Sequence, residues 1–201
     1  IEKKPLGVVA SISPFNFPNM VPHWTVPNAI VLGNCMILKP SEVVPLSAVR
    51  MAELLKEAGL PDGVFNIVNG GKEIVEAICD HPDIKAVSFV GSTKVAKIVY
   101  QRASNNFKQV LALGGAKNHM IVLPDADLDM AADAAVSASF GAAGQRCMAV
   151  SVVVAVGDIA DELVGKIKDR IPSLVMGKTD NPDTQLGPVI SQENKDRIYS
   201  F

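Results

Sequence analysis

Short, almost uninterrupted apolar runs recur through the first half of the chain, at residues 8–12, 35–38, 64–68 and 86–90. They do not alternate apolar with polar positions, so they predict strands buried on both faces, as in a parallel sheet. Each run stops at turn-forming or polar residues: Ser13-Pro14, Lys39-Pro40-Ser41-Glu42, Asn69-Gly70-Gly71 and Gly91-Ser92-Thr93. Between them, residues 47–58 carry Val49, Ala52, Leu54, Leu55 and Ala58 on one broad face, after Pro45 and before Gly59-Leu60-Pro61, which is the punctuation of a helix. Residues 71–79 and 93–103 read as two further helices. This alternation predicts an α/β fold, a doubly wound (Rossmann-like) parallel sheet with right-handed crossovers. Ligands in such sheets gather at the carboxyl ends of the strands.

A further run, Gln109-Val110-Leu111-Ala112-Leu113, leads to Gly114-Gly115, where a domain boundary is expected. Residues 1–113 then form one domain, and 114–201 the first part of a second α/β domain. In that second part, 119–123 reads as a strand. Pro124-Asp125-Ala126-Asp127 carries turn and cap signals for a helix over 128–140. Residues 148–156 read as a strand and 159–171 as an amphipathic helix.

A chain of 201 residues, 48% of them hydrophobic, is long enough to bury a proper core. Its net charge of −2, with no run of like charges, disfavours nucleic acid and anionic membranes as partners and leaves small molecules or other protein chains. The cysteines Cys35, Cys79 and Cys147 are widely spaced, which argues against a disulfide framework or a metal site and for a reducing compartment such as the cytoplasm. No run approaches the ~18 apolar residues of a membrane span, and no leader pattern is read at the start. Ile1-Glu2-Lys3-Lys4-Pro5 runs directly into a strand and residues 196–201 stop within a helical pattern, so both ends are expected to be cuts through a longer protein.

The stretch Gly141-Ala142-Ala143-Gly144-Gln145-Arg146-Cys147 sets one cysteine after a run of small residues. Little side-chain bulk lets a substrate approach the sulfur. A thiolate, favoured by a cation such as Arg146, attacks carbonyl carbon. Lone cysteines are more often small buried hydrophobes, so the pattern by itself leaves both readings open. Asn16, in Pro14-Phe15-Asn16-Phe17-Pro18, offers an amide donor able to stabilise an oxyanion by ~3 kcal/mol, or is an ordinary turn former. Lys39 can hold ribose hydroxyls. Glu42 can accept from a ribose 2′-OH and repel a 2′-phosphate, which favours NAD over NADP. Taken alone, this tetrapeptide reads more readily as a solvated charged turn. Gly91-Ser92-Thr93 ends a strand and opens a helix, presenting N–H groups to a phosphate, although the three spaced glycines of a dinucleotide fingerprint are absent.

Six segments change the odds together: Pro14-Phe15-Asn16-Phe17-Pro18, Leu38-Lys39-Pro40-Ser41-Glu42, Phe89-Val90-Gly91-Ser92-Thr93, Leu113-Gly114-Gly115, Gly144-Gln145-Arg146-Cys147 and Leu186-Gly187-Pro188-Val189-Ile190. In order and spacing they resemble the aldehyde dehydrogenase superfamily over nearly the whole chain. The resemblance implies that residues 1–113 are an NAD-binding domain, that Cys147 is the nucleophile and that Asn16 is an oxyanion donor. It implies that Lys39 and Glu42 contact the cofactor ribose, that Ser92 contacts the pyrophosphate, and that Ser13, Phe15 and Gly91 join the NAD site. Phe17 and Trp24 would line the substrate tunnel, unless they are plain core.

Hydrolytic members carry a glutamate two residues before the paired glycines, and here that position is Ala112. Alanine cannot activate water, so another acyl acceptor is expected. The lost glutamate, the Gly-Gln-Arg-Cys-Met-Ala string around Cys147, Gly115-Ala116-Lys117-Asn118-His119 and Cys79-Asp80-His81-Pro82-Asp83-Ile84 resemble the methylmalonate-semialdehyde dehydrogenase branch. That branch is coenzyme A-acylating and passes its acyl group to a thiol. In it, Arg146 would grip the substrate carboxylate, or else form a structural ion pair. The resemblance further implies a homodimer or homotetramer. Two alternatives stay open. One is a hydrolytic semialdehyde dehydrogenase using another base. The other is a nucleotide-binding piece without catalysis, since the superfamily's Glu-x-Phe-Gly-Pro segment is not found in the sequence.

Overall fold

The computed structural model describes residues 4–200; Ile1, Glu2, Lys3 and Phe201, which belong to the expected cut ends, lie outside the described residues. Five strands form one parallel sheet in the order β3-β2-β1-β4-β5: β1 (Val8–Ile12), β2 (Cys35–Lys39), β3 (Phe65–Ile67), β4 (Ile84–Val90) and β5 (Gln109–Leu113). This is the doubly wound α/β sheet that the unbroken apolar runs predict, with its direction of winding reversing between β1 and β4. Helices α1 (Met20–His23), α2 (Val26–Val31), α3 (Leu46–Glu57), α4 (Lys72–Asp80) and α5 (Thr93–Asn105) connect the strands.

Burial on both faces explains why the runs do not alternate. Ala10, Ile12, Val87 and Phe89 pack with Ile78, Cys79, Ala96 and Val99 of α4 and α5. Met36 and Leu38 pack with Val26, Ala29, Ala48 and Met51 of α2 and α3. Leu38 is 0% exposed, and burying a side chain of that size contributes about 2 kcal/mol.

Two helices are not foreseen from the sequence. Pro22 and Pro27 argue against α1 and α2, yet each lies in the first turn of its helix, where the missing N–H removes no helical bond. The amino ends of the strands are closed by two side chains. Asn34 Oδ1 accepts from the N–H of Leu6 (2.7 Å) and of Gly7 (3.2 Å), while its Nδ2 donates to Ala29 O at 3.2 Å. Buried Lys108 donates from Nζ to the carbonyls of His81 and Ile84, and that burial pushes its pKa below the usual lysine value.

A compact unit ends at Gly115 and a second begins at Ala116. The Gly115 N–H donates to Thr93 Oγ1 at 2.9 Å, which ties it to the first unit. The second unit pairs two parallel strands, β6 (Asn118–Val122) and β7 (Val150–Ala155), with helices α6 (Leu128–Phe140), α7 (Ala160–Arg170) and α8 (Gln192–Tyr199). Val122, Ala131, Ala132 and Leu163 form its core. Asp127 caps α6 by accepting from the N–H of Asp129 (3.0 Å) and of Met130 (3.1 Å), as its sequence signal predicts. Strand β6 starts one residue earlier than predicted, and β7 starts two residues later because Cys147 and Met148 belong to a turn.

Candidate functional site

Strand register brings several of the candidate residues of the first unit to one edge of the sheet. Ile12, the last residue of β1, lies opposite Lys39 of β2 and Phe89 of β4. The next residue, Ser13, donates its N–H to Lys39 O at 3.0 Å, and the Gly91 N–H reaches Leu113 O at 3.1 Å. Ser13 is 4% exposed, and among the described residues its Oγ has no hydrogen-bond partner. Buried polar atoms rarely go unpaired, so this one needs an explanation.

Lys39 is also 4% exposed, and its Nζ donates to Glu42 Oε2 at 2.7 Å. Glu42 itself stays largely in water. The hydrogen bond from Lys39, reinforced by its charge, holds the Glu42 carboxyl below the usual carboxylate range. Gly70-Gly71 offers N–H groups at the start of α4, but Glu73 already occupies that position, its Oε1 accepting from Gly71 N at 3.0 Å. Backbone hydrogen bonds lower the Glu73 pKa in turn.

Ser92 is the N-cap of the 13-residue helix α5, its Oγ accepting from Val95 N at 3.4 Å. A helix of that length favours an anion at its first turn. A side chain at position 91 would bring its Cβ within 2.5 Å of the Phe89 ring, so only glycine fits there. Phe15, Asn16 and Phe17 are partly buried in the turn after β1, and Phe17 O accepts from Val21 N at 3.2 Å to open α1. Trp24 is 40% exposed and lines a groove of about 440 Å³ over the sheet face with Val9, Met36, Ala86 and Leu111.

In the second unit, Cys147 is half-buried and occupies the second position of a turn closed by Ala149 N donating to Arg146 O at 3.2 Å. The run before it is left-handed: Ala142 (φ 51°), Ala143 (φ 54°) and Gly144 (φ 72°). Alanine pays roughly 1–2 kcal/mol in that region, and larger or β-branched residues fare worse. The small residues therefore set the backbone path as well as leaving room. Side chains brace this path. Ser139 Oγ donates to Val150 O at 3.0 Å, Gln145 Oε1 accepts from Ile190 N at 3.1 Å, and Asn118 Nδ2 donates to Cys147 O at 2.8 Å and Ala149 O at 3.0 Å. The brace from Ile190 gives the Leu186-Gly187-Pro188-Val189-Ile190 segment a physical role in this unit.

The Arg146 guanidinium lies over Gly141, where an added Cβ would come within 2.5 Å of its Cζ. No carboxylate among the described residues pairs with Arg146, and its Nε is buried without a hydrogen-bond partner. Ala112 lies opposite Phe89 in β5 and packs toward the core. Cys79 is buried, and that burial pushes its thiol pKa up, as befits an inert core residue. Among the described residues, no three His, Cys, Asp or Glu side chains gather as a metal site, and no helix is long and apolar enough to cross a membrane. Asn118, Gln145 and Thr93 are the structural participants that residue-by-residue reading misses, since their partners lie 22 to 45 positions away.

The sequence pattern of the aldehyde dehydrogenase family matches residues 1–201, and the chain belongs to that family. Over 197 residues it is 57% identical to malonate-semialdehyde dehydrogenase 3 of Geobacillus kaustophilus (strain HTA426), an alignment covering 98% of this chain and 41% of that protein. Its fold is similar to a crystal structure of a protein from Sinorhizobium meliloti 1021 described as a methylmalonate-semialdehyde dehydrogenase and complexed with NAD, with a TM-score of 0.95 and 52% identity over 98% of this chain and 40% of that one. It is equally similar to the methylmalonate-semialdehyde dehydrogenase DddC from Oceanimonas doudoroffii, at a TM-score of 0.95 and 53% identity over the same shares. The chain thus spans about 40% of the length of these relatives.

Proposed function

We propose that the protein carrying this chain oxidises malonate or methylmalonate semialdehyde with NAD and coenzyme A, through a thioester on Cys147. The observation that carries this reading is the combination at one turn: a half-buried cysteine, next to an arginine with no carboxylate partner, in a chain where alanine replaces the water-activating base. The names of its relatives point the same way.

In the mechanism, the Cys147 thiolate attacks the aldehyde carbon, and the backbone N–H of Cys147 and the amide of Asn16 donate to the oxyanion. NAD, when bound, supplies the hydride acceptor. What supports NAD on the first unit is the buried, unpartnered Ser13 Oγ beside the Lys39–Glu42 pair, since a ribose hydroxyl would satisfy it. Ser92 at the head of α5 would face a pyrophosphate, with Gly91 and Phe15 beside it. Residues up to 113 thus serve as the NAD-binding domain and those from 114 onward as the start of the catalytic one.

Oxidation leaves an acyl thioester on Cys147 Sγ. The substrate carboxylate is held by Arg146 and then released as carbon dioxide. The electrons of the broken C–C bond pass into the thioester carbonyl, and the resulting enolate takes a proton. A coenzyme A thiolate attacks the thioester carbon, and Cys147 leaves as thiolate. Thiols ionise far more than water near neutral pH, so this transfer proceeds without the base that Ala112 lacks. Phe17 and Trp24 are read as apolar walls for the substrate. The same reading makes the whole protein a cytoplasmic homodimer or homotetramer.

The test is NADH formation by the intact protein from malonate semialdehyde, methylmalonate semialdehyde and propanal, each with and without coenzyme A. The expected result is a single burst without coenzyme A and sustained turnover with it. The carboxylated substrates should be favoured over propanal by about 10- to 100-fold, the value of a charge-assisted bidentate contact. Sustained turnover without coenzyme A would overturn the reading.

A further inference from the structure

The backbone of Cys147 is fixed from a distance. In the turn from Arg146 to Ala149, Arg146 O is taken by Ala149 N. The carbonyl between the two central residues, Cys147 O, takes no part in closing the turn. Here a single side-chain amide takes it. Both N–H bonds of Asn118 Nδ2 are used, one on Cys147 O at 2.8 Å and one on Ala149 O at 3.0 Å. Two carbonyl oxygens facing one amide also settle which end of Asn118 is nitrogen, because the oxygen end could not face them.

Asn118 is partly buried at the first position of β6, beside a bulge. It lies opposite Val150, whereas His119 lies opposite Val152, so Ser151 has no partner residue across the pair. The ladder register therefore shifts where β7 begins, and the Asn118 side chain reaches past that shift to the carbonyls of Cys147 and Ala149.

We propose that Asn118 is the positioning residue for Cys147. By pinning the carbonyls of Cys147 and Ala149 to the first residue of β6, it fixes the direction of the Cys147 side chain and of the backbone N–H that faces an oxyanion. The left-handed residues on the other side of Cys147 lend the turn a tendency to relax, which this double hydrogen bond opposes. Asparagine suits the role because it offers two donors on a short, stiff stem. Aspartate has the same shape and no donor, and it would turn negative oxygens toward two carbonyls.

This inference rests on the reading of Cys147 as the nucleophile, so the experiment separates the two. Asn118→Asp, Asn118→Ala and, as a control, Cys147→Ala are compared in the intact protein. Measured are kcat and KM for NADH formation and the rate of iodoacetamide alkylation at Cys147, followed by mass spectrometry relative to exposed Cys35. Misplacing a reacting group by about 1 Å costs on the order of 100-fold. Both Asn118 variants should therefore lose about 10- to 100-fold in kcat with KM for NAD within about twofold, and Cys147 alkylation should shift several-fold while Cys35 is unchanged. Asn118→Ala leaves room for a water and no added charge, so it reads the effect even if Asn118→Asp fails to fold. A kcat within twofold of wild type in Asn118→Ala, or a lowered Tm with kcat and relative alkylation unchanged, overturns the positioning role. NADH formation surviving in Cys147→Ala would overturn the nucleophile itself.

Discussion

The two ends of the five-stranded sheet treat polar groups in opposite ways. At the amino ends, Asn34 and Lys108 turn their side chains inward and satisfy four backbone groups on Leu6, Gly7, His81 and Ile84. At the carboxyl ends, Ser13 Oγ is buried with no partner among the described residues, and the buried Lys39 ammonium relies on one largely exposed carboxylate. One end is closed by its own hydrogen bonds, while the other holds polar capacity in reserve. Leaving a buried hydroxyl unpaired costs about 1–3 kcal/mol, and such a cost persists where a ligand relieves it. The contrast separates residues that hold the fold from residues proposed to serve binding, although both kinds are buried and polar.

Three substitutions sharpen or break this comparison. The largest effect is expected from Lys108→Met, which keeps the shape but removes the donor from two carbonyls. The fold should lose about 3 kcal/mol, read as a lower urea midpoint, with NAD affinity unchanged once folded. A loss of NAD affinity at equal stability would break the distinction between the ends.

Ser13→Ala should act in the reverse sense. Removing an unpaired hydroxyl should stabilise the fold by up to about 1 kcal/mol while weakening NAD binding about 3- to 10-fold, the worth of one neutral hydrogen bond. Thermal unfolding and NAD titration on the same sample check both halves, and a destabilised Ser13→Ala would mean that the hydroxyl serves the fold.

The smallest effect belongs to Glu42→Gln, a rise of a few-fold in KM for NAD, since the Glu42 carboxylate is largely exposed and screened by water and salt. Its sign in pH follows from the depressed carboxyl of Glu42. A carboxyl whose folded pKa lies below its unfolded value stabilises the fold above that unfolded value. The contribution disappears as pH falls through the folded pKa. The stability contributed by Glu42 should therefore hold from neutral pH down to the ordinary carboxylate range and be lost below it, so the difference in urea midpoint between wild type and Glu42→Gln should shrink as pH falls through that range.

The parts legible in the sequence were those with a local cause. The strands β1 and β2 announce themselves as unbroken apolar runs because both sheet faces are covered there, whereas β3 and β5 leave alternate residues exposed, and Lys39, Glu42, Gly91 and Ser92 stand out because strand ends are where such sheets hold ligands. Helices α1 and α2 were hidden because Pro22 and Pro27 look like breakers unless the helix start is known. Lys108 and Asn34 carried no local signal, since an isolated lysine or asparagine reads as surface until the carbonyls and amides it meets are brought in from 5 to 28 residues away. Cys147 was marked by its small neighbours. What holds its turn was not, because Asn118 lies 29 residues earlier and Ile190 acts on Gln145 from 45 residues later.

The left-handed triplet Ala142-Ala143-Gly144 also limits how this protein can change over generations. Its positive dihedrals admit glycine, alanine, asparagine and aspartate with tolerable cost and shut out valine, isoleucine and threonine. Bulky and β-branched substitutions here thus carry an added backbone cost. Under the proposed function, a lineage adapting to bulkier or uncharged aldehydes would find its new chemistry more readily at neighbouring sites, Arg146 and Met148 foremost.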